Sequence, residues 1–268
     1  MARTLKGKRI LLTGASTGIG RELARILGAK GAKLALVARQ IDKLKEAADE
    51  VRQAGGEAVV IPGDLTDPLT PSKVMDESVK ALGGLDVLLN NAGVGTWNHF
   101  ADGTEEHLRQ VFEVNFFAIS ELMRLAVKPL IQGNQPAILN IASMTGRRGM
   151  PAFSEYSASK HALVGLTEAL RGEYHRFGIS VLLVLPGLTQ SDFFKNVLAS
   201  KGKAQLPMEK ALTPSQTAAA VVKALENDTR ETWVGGEAKR ILWLNRFFPG
   251  WLDRKIAKTV VNLWAKTA

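Results

Sequence analysis

The sequence predicts one α/β domain: a doubly wound, parallel, seven-stranded sheet with helices on both faces. Three observations carry this. Short apolar runs alternate along the chain with longer amphipathic stretches, the pattern of strand–helix–strand units. Most of the runs are almost continuously hydrophobic, as expected of strands buried on both faces. A glycine-rich turn directly follows the first run.

The expected strands, in order, are RILLT (9–13), KLALVA (33–38), EAVVIP (57–62), DVLLN (86–90), AILNIA (137–142), ISVLLVL (179–185) and ETWVG (231–235). Helices are expected between them, over about 18–30, 42–54, 70–82, 104–131, 155–177 and 215–226. Gly31, Gly55, Gly83 and Gly178 follow helical stretches, where a left-handed residue commonly ends the helix. The polar segment 187–214 reads as a loop over a site. Residues 240–266 form a further pair of short helices divided at Pro249 and Gly250. In the second, Leu252, Ile256, Val260 and Leu263 make an apolar stripe. The 268 residues suit a single domain, with a core over about 7–235 and a basic amphipathic extension over about 237–268.

Composition excludes several chemistries. Cysteine is absent, so there is no disulfide framework, thiolate metal site or cysteine nucleophile. His99, His107, His161 and His175 show no metal-ligand spacing, and no metal is expected. Ser143 lacks the GxSxG elbow of a serine hydrolase. No apolar run is long enough for a membrane span, and the run at 10–12 is too short for a secretory leader. A cytoplasmic protein, with peripheral membrane contact as an option, is the expectation. The net charge of +9 raises affinity for phosphates, anionic lipids or acidic partners. A solvated basic face accounts for it equally well. No nucleic-acid partner is expected.

The first turn, TGASTGIGREL, places Gly14, Gly18 and Gly20 between a strand and a helix. Glycines there let backbone approach a pyrophosphate, and the helix N-terminus offers free N–H groups to it. Ser16, Thr17 and Ile19 share the turn. The second strand ends in Ala38 and Arg39, with no acid before Asp42. A carboxylate at the strand end would hold a ribose 2′-hydroxyl, whereas an arginine clamps a 2′-phosphate. NADP(H) is therefore preferred over NAD(H). The chain has two tyrosines, and only Tyr156 has a lysine four places on, at Lys160. Residues i and i+4 share a helix face. A nearby ammonium favours a phenolate, which would tune Tyr156 for acid/base work near neutral pH.

With these residues, the sequence over about 7–235 resembles the classical short-chain dehydrogenase/reductase family. TGASTGIG matches the family's glycine turn, NNAG (90–93) the motif closing the fourth strand, and PG (186–187) the end of the sixth. The resemblance implies strand order 3-2-1-4-5-6-7. It implies a catalytic tetrad of Asn115, Ser143, Tyr156 and Lys160, with Ser143 thirteen residues before Tyr156. Ser143 would hold the substrate oxygen, Lys160 the nicotinamide ribose, and Asn115 a water relay. Asp64 and Leu65 would lie near the adenine, and Asn91, Ala92, Gly93, Pro186, Gly187 and Thr189 would line the rest of the cofactor site. Thr17 stands where NADP-binding members often carry a second basic residue. Thr189 falls slightly early for the usual nicotinamide contact, with Ser191 beside it. Family members assemble as dimers or tetramers.

Substrate choice falls to segments 94–103, 144–154 and 187–214, which hold Val94, Trp97, Met144, Met150, Phe153, Leu188, Phe193 and Phe194. Such a lining suits a lipophilic carbonyl or secondary alcohol such as a steroid, retinoid or other lipid. A 3-oxoacyl carrier-protein reductase is the alternative, and a non-catalytic NADP(H)-binding sensor or scaffold is the alternative of another class.

Overall fold

The structure is a computed structural model that describes residues 2–190, 193, 197, 198 and 208–265, with side chains as far as 261. Ser191, Phe194 and Lys266, and the side chains of Leu263 and Trp264, lie outside the described residues.

The strands are β1 (Arg9–Thr13), β2 (Lys33–Ala38), β3 (Glu57–Pro62), β4 (Val87–Asn90), β5 (Ala137–Ile141), β6 (Ser180–Pro186) and β7 (Glu231–Val234). The helices are α1 (Gly18–Ala29), α2 (Ile41–Gln53), α3 (Thr70–Leu82), α4 (Glu105–Phe112), α5 (Ala118–Ile131), α6 (Ser154–His175), α7 (Pro214–Glu226), α8 (Gly236–Phe247) and α9 (Pro249–Ala265). All seven strands pair in parallel, in the order β3-β2-β1-β4-β5-β6-β7. Leu11 sits between Ala35 and Leu88 in register.

Alternate strand residues feed two separate cores, one per sheet face. Leu11, Leu88 and Ile138 join α3, α5 and α6 on one side, while Ile10, Leu12 and Leu89 join α1, α2 and α7 on the other. The direction in which successive strands are added reverses at β1, which has β2 on one side and β4 on the other. In open parallel sheets a crevice forms at that switch point, beyond the carboxyl ends of the strands. The glycine turn after β1 and the NAG segment after β4 both open there.

One element departs from expectation. The helix predicted over 104–131 is interrupted by a π turn at Glu113–Phe117. The cause is visible at Asn115, which is fully buried. Its Oδ1 accepts from Val94 N at 2.9 Å, and its Nδ2 donates to Val94 O at 2.8 Å and Ser159 Oγ at 3.0 Å. Reaching the loop after β4 with both amide groups requires a widened turn, and such turns are frequent at functional sites.

Candidate active site

The pyrophosphate end is built by backbone. Gly14 has φ +66°, and a Cβ on it would lie 2.8 Å from Asn91 Nδ2. A Cβ on Gly20 would lie 1.9 Å from Gly14 O, so the turn closes onto the helix only without side chains. Asn91 ties the turn to β4. Its N donates to Thr13 Oγ1 at 3.0 Å, and its Nδ2 donates to Thr13 O at 3.1 Å and Gly14 O at 3.0 Å. Thr17 caps α1 without a side-chain hydrogen bond, and the first turn holds no acid. The leading N–H groups of α1 are thus free for an anion.

A groove of about 220 Å³ runs along this crevice. Gly14, Ser16, Thr17, Gly18, Ile19, Gly20, Arg39, Asp64, Leu65, Asn91, Ala92 and Gly93 all line it. Arg39 is exposed at the rim and makes no ion pair among the described residues. Asp64 is fixed by a local turn, accepting from Thr66 N at 3.0 Å and Thr66 Oγ1 at 2.9 Å. These features fit an adenine dinucleotide: a helix end open to an anion, a side-chain-free turn, and an exposed arginine at the rim.

Pro186 ends β6 and Gly187 and Thr189 follow it, but none of the three lines this groove. Thr189 Oγ1 contacts Gly187 O and Thr217 Oγ1, each at 3.2 Å, so its hydroxyl engages α7. Gly187 lies against α8, where an added Cβ would come 3.0 Å from Ala238 Cβ. Sequence reasoning missed Val37, Gln40, Gly63 and Val114 in the lining and assigned Val94 to a substrate segment. Only Gly63, beside Asp64 in GDLTD, carried a sequence signal. It assigned Phe193 to a substrate loop, whereas the ring also lines the groove.

The four residues of the expected tetrad converge at one end of the crevice. Tyr156 and Lys160 lie one turn apart in α6, Ser143 follows β5, and Asn115 comes from the π turn. Lys160 is 2 % exposed, and its Nζ donates to Ile141 O at 3.2 Å. A Cβ on Gly93 would sit 3.4 Å from that Nζ and 3.3 Å from Asn115 Oδ1, so the glycine leaves room between them. Ser143 hydrogen-bonds the Tyr156 phenol, and its Oγ accepts from Thr145 N at 3.1 Å. Phe193 packs on the Tyr156 ring at 5.2 Å and Phe153 at 6.5 Å.

The electrostatics correct one expectation. Burial pushes the Tyr156 phenol up to about 12, and the Ser143 hydrogen bond draws it partly back. Burial pushes Lys160 down to about 8. Burial therefore outweighs any pull of the lysine on the resting phenol. Its Nζ lies 5.6 Å from the ring centroid, over the ring, and is engaged with the β5 carbonyl. The phenol is held neutral, which is the form that donates a proton.

Comparison with known proteins agrees with this geometry. Residues 8–202 match the short chain dehydrogenase family. The ketoacyl reductase HetN of Nostoc sp. PCC 7120 is 35% identical over 232 residues, covering 86% of this chain and 79% of its own. A hydroxysteroid 11-beta-dehydrogenase 1-like protein of Gallus gallus is 33% identical over 253 residues, covering 93% and 81%. A short chain dehydrogenase of Burkholderia cenocepacia J2315, solved in complex with NADP, superposes with a TM-score of 0.78 at 29% identity. That match covers 88% of this chain and all of the other. The chain belongs to the short-chain dehydrogenase/reductase family of NAD(P)-dependent oxidoreductases.

Proposed function

We propose that the enzyme interconverts a lipophilic carbonyl and its secondary alcohol with NADP(H). The observation that carries this is the neutral Tyr156 phenol, hydrogen-bonded to Ser143 and beside Lys160, at the end of a dinucleotide groove with a free arginine at its rim. When bound, the nicotinamide supplies the hydride. In reduction Ser143 hydrogen-bonds the substrate oxygen, polarising it. Tyr156 passes its proton to that oxygen as negative charge develops. The charged form of Lys160 then stabilises the phenolate left behind, and Asn115 orders the path by which the proton is replaced. Lys160 would also hold the nicotinamide ribose, and Asp64 would contact the adenine.

Arg39 favours the 2′-phosphate of NADP(H). A charge-assisted hydrogen bond contributes roughly 1.5–3 kcal/mol, or about 10–150-fold in affinity. Lipophilic specificity is supported by Trp97, Phe153 and Phe193 around Tyr156. A ketoacyl reductase among the relatives favours a 3-oxoacyl thioester as the second reading. Homodimer or homotetramer assembly through α4–α6 and peripheral lipid contact through residues 240–266 complete the proposal.

The test is NADPH oxidation with diketones, quinones, aldehydes, steroids and a 3-oxoacyl thioester. Tyr156→Phe should lower turnover roughly 10²–10⁴-fold with NADPH affinity unchanged. Near-normal turnover in that variant would sink the mechanism. Ala38→Asp with Arg39→Ala should erode or reverse the NADPH preference in a binding titration. Equal binding of both cofactors by the wild type would overturn the preference.

A further inference from the structure

Helices α8 and α9 are amphipathic in an unusual sense. Their inward faces are aliphatic: Ala238, Leu242 and Leu252 are buried, while Ile241, Ile256 and Val260 are partly buried. The apolar stripe at Leu252, Ile256 and Val260 is therefore used for packing. The outward faces are aromatic and basic. On α9, Trp251, Arg254, Lys255, Lys258 and Val261 recur at offsets of three, four, seven and ten, which is one face of a helix. All five are exposed. On α8, Lys239, Trp243, Arg246 and Phe247 recur at offsets of four, seven and eight, with Arg240 at the edge, and all are exposed. Phe248, between the helices, is exposed too.

Trp243, Phe247 and Phe248 form a connected patch. Trp243 lies 5.3 Å from Phe247 and 5.9 Å from Phe248 by ring centroids. Cations lie over the aromatic rings: Arg246 is 5.8 Å from the Phe247 centroid and Lys255 is 5.5 Å from that of Trp251. Contiguous exposed aromatic surface rimmed by polar groups marks an interaction site. Lys239, Arg240, Arg246, Arg254, Lys255 and Lys258 make no ion pair among the described residues. Of the two acids on the described parts of these helices, Asp253 is already paired with Arg148 at 2.5 Å. The patch therefore presents net positive charge together with Trp and Phe.

We infer that this face docks on an anionic lipid surface. Trp and Phe enter the headgroup boundary, and each Lys or Arg near an anionic leaflet adds attraction. A second copy of the chain fits less well, since a twofold interface sets the same patch against itself and brings cation to cation. No described helix is long and apolar enough to cross a membrane, so the geometry is that of a helix pair lying on the surface. The pair is also fastened beside the active site. Asn245 accepts from Arg148 Nη1 at 3.2 Å and donates to Arg147 O at 3.1 Å, and that segment follows Ser143 by four and five residues. Docking would set the substrate side of the enzyme next to lipid. The inference deepens the lipophilic reading but rests on none of its catalytic residues.

The test is co-sedimentation of the full-length protein with vesicles of phosphatidylcholine alone or mixed with phosphatidylserine about two to one. The expected result is binding to the mixed vesicles at low salt, weaker binding to phosphatidylcholine, and release as salt screens the charges. Lys255→Glu with Lys258→Glu, and separately Trp243→Ser with Phe247→Ser, should each weaken binding by at least about tenfold. Thermal midpoint and turnover of a water-soluble carbonyl should not change. Failure to sediment with mixed vesicles at low salt would overturn the inference, as would wild-type binding by both variants. A drop in oligomer size in the variants without vesicle binding would assign the face to a second copy and overturn it too. Vesicle binding in an enzyme that reduces only small polar carbonyls would leave the docking face standing and remove the lipophilic specificity.

Discussion

Tyr156 and Lys160 show how far residue spacing alone carries. Their i,i+4 relation placed both on one helix face and at the right end of the crevice. What the spacing did not reveal was burial, which drives the phenol up and the ammonium down. On the proposed mechanism, the charged lysine supports the phenolate formed by proton transfer in reduction. That charge is present below about pH 8 and is lost above it. For the free enzyme, kcat/KM for reduction should be flat up to about pH 8 and then decline; a rate that climbs through pH 9 would contradict this. The same group acts on stability. Its depressed value means the unfolded chain binds the extra proton, so stability rises as pH rises from about 8 toward 10.5. Lys160→Met should therefore raise the thermal midpoint at pH 7 while abolishing turnover. A lower midpoint would show that the Ile141 hydrogen bond outweighs the desolvation cost.

At the scale of elements, the strands were legible because parallel strands buried on both faces are written as plain apolar runs, as in RILLT and ISVLLVL. The glycine turn was legible because only glycine fits where Gly14 and Gly20 nearly touch. The π turn was not legible. EVNFF has ordinary helical character, and the widening answers to Asn115 reaching Val94, a contact distant in sequence. The side of α9 that packs was readable from its stripe, but which side faces solvent depended on where α8 lies. Gly20→Ala tests the close approach of strand, turn and helix. Its Cβ would meet Gly14 O at 1.9 Å and Asn91 Nδ2 at 2.6 Å. The expected cost is roughly 1–3 kcal/mol of stability, with NADPH affinity lowered at least about tenfold. Unchanged affinity by titration would show that the turn has slack.

For the whole molecule, α8 and α9 complete the fold and also extend it. Ala238 and Leu242 belong to the core on one sheet face, with Trp233 and Ile241 packed against it. Truncation before Gly236 exposes that edge. Losing two or three buried side chains at roughly 1.5–3 kcal/mol each should lower the thermal midpoint by about 10 °C or more and promote aggregation. An undisturbed midpoint would mean that the pair is an appendage. The family, the sheet order and the dinucleotide groove were all readable from motifs in a fixed order. Substrate identity was not, because it depends on how Trp97, Phe153 and Phe193 come together, and no motif sets that arrangement.

The widened turn at Glu113–Phe117 implies that activity and fold can be separated by one residue. A π turn is one residue longer than the helical turn it replaces. Excising a single residue, Phe117 for example, would let α4 and α5 fuse into one regular helix while keeping the phase of both flanks. The shortened protein should fold at least as firmly as the parent, measured by thermal midpoint. It should also be inert, because Asn115 would no longer reach Val94. Losing that one residue would then be the shortest route from an enzyme to a stable protein that only binds the dinucleotide.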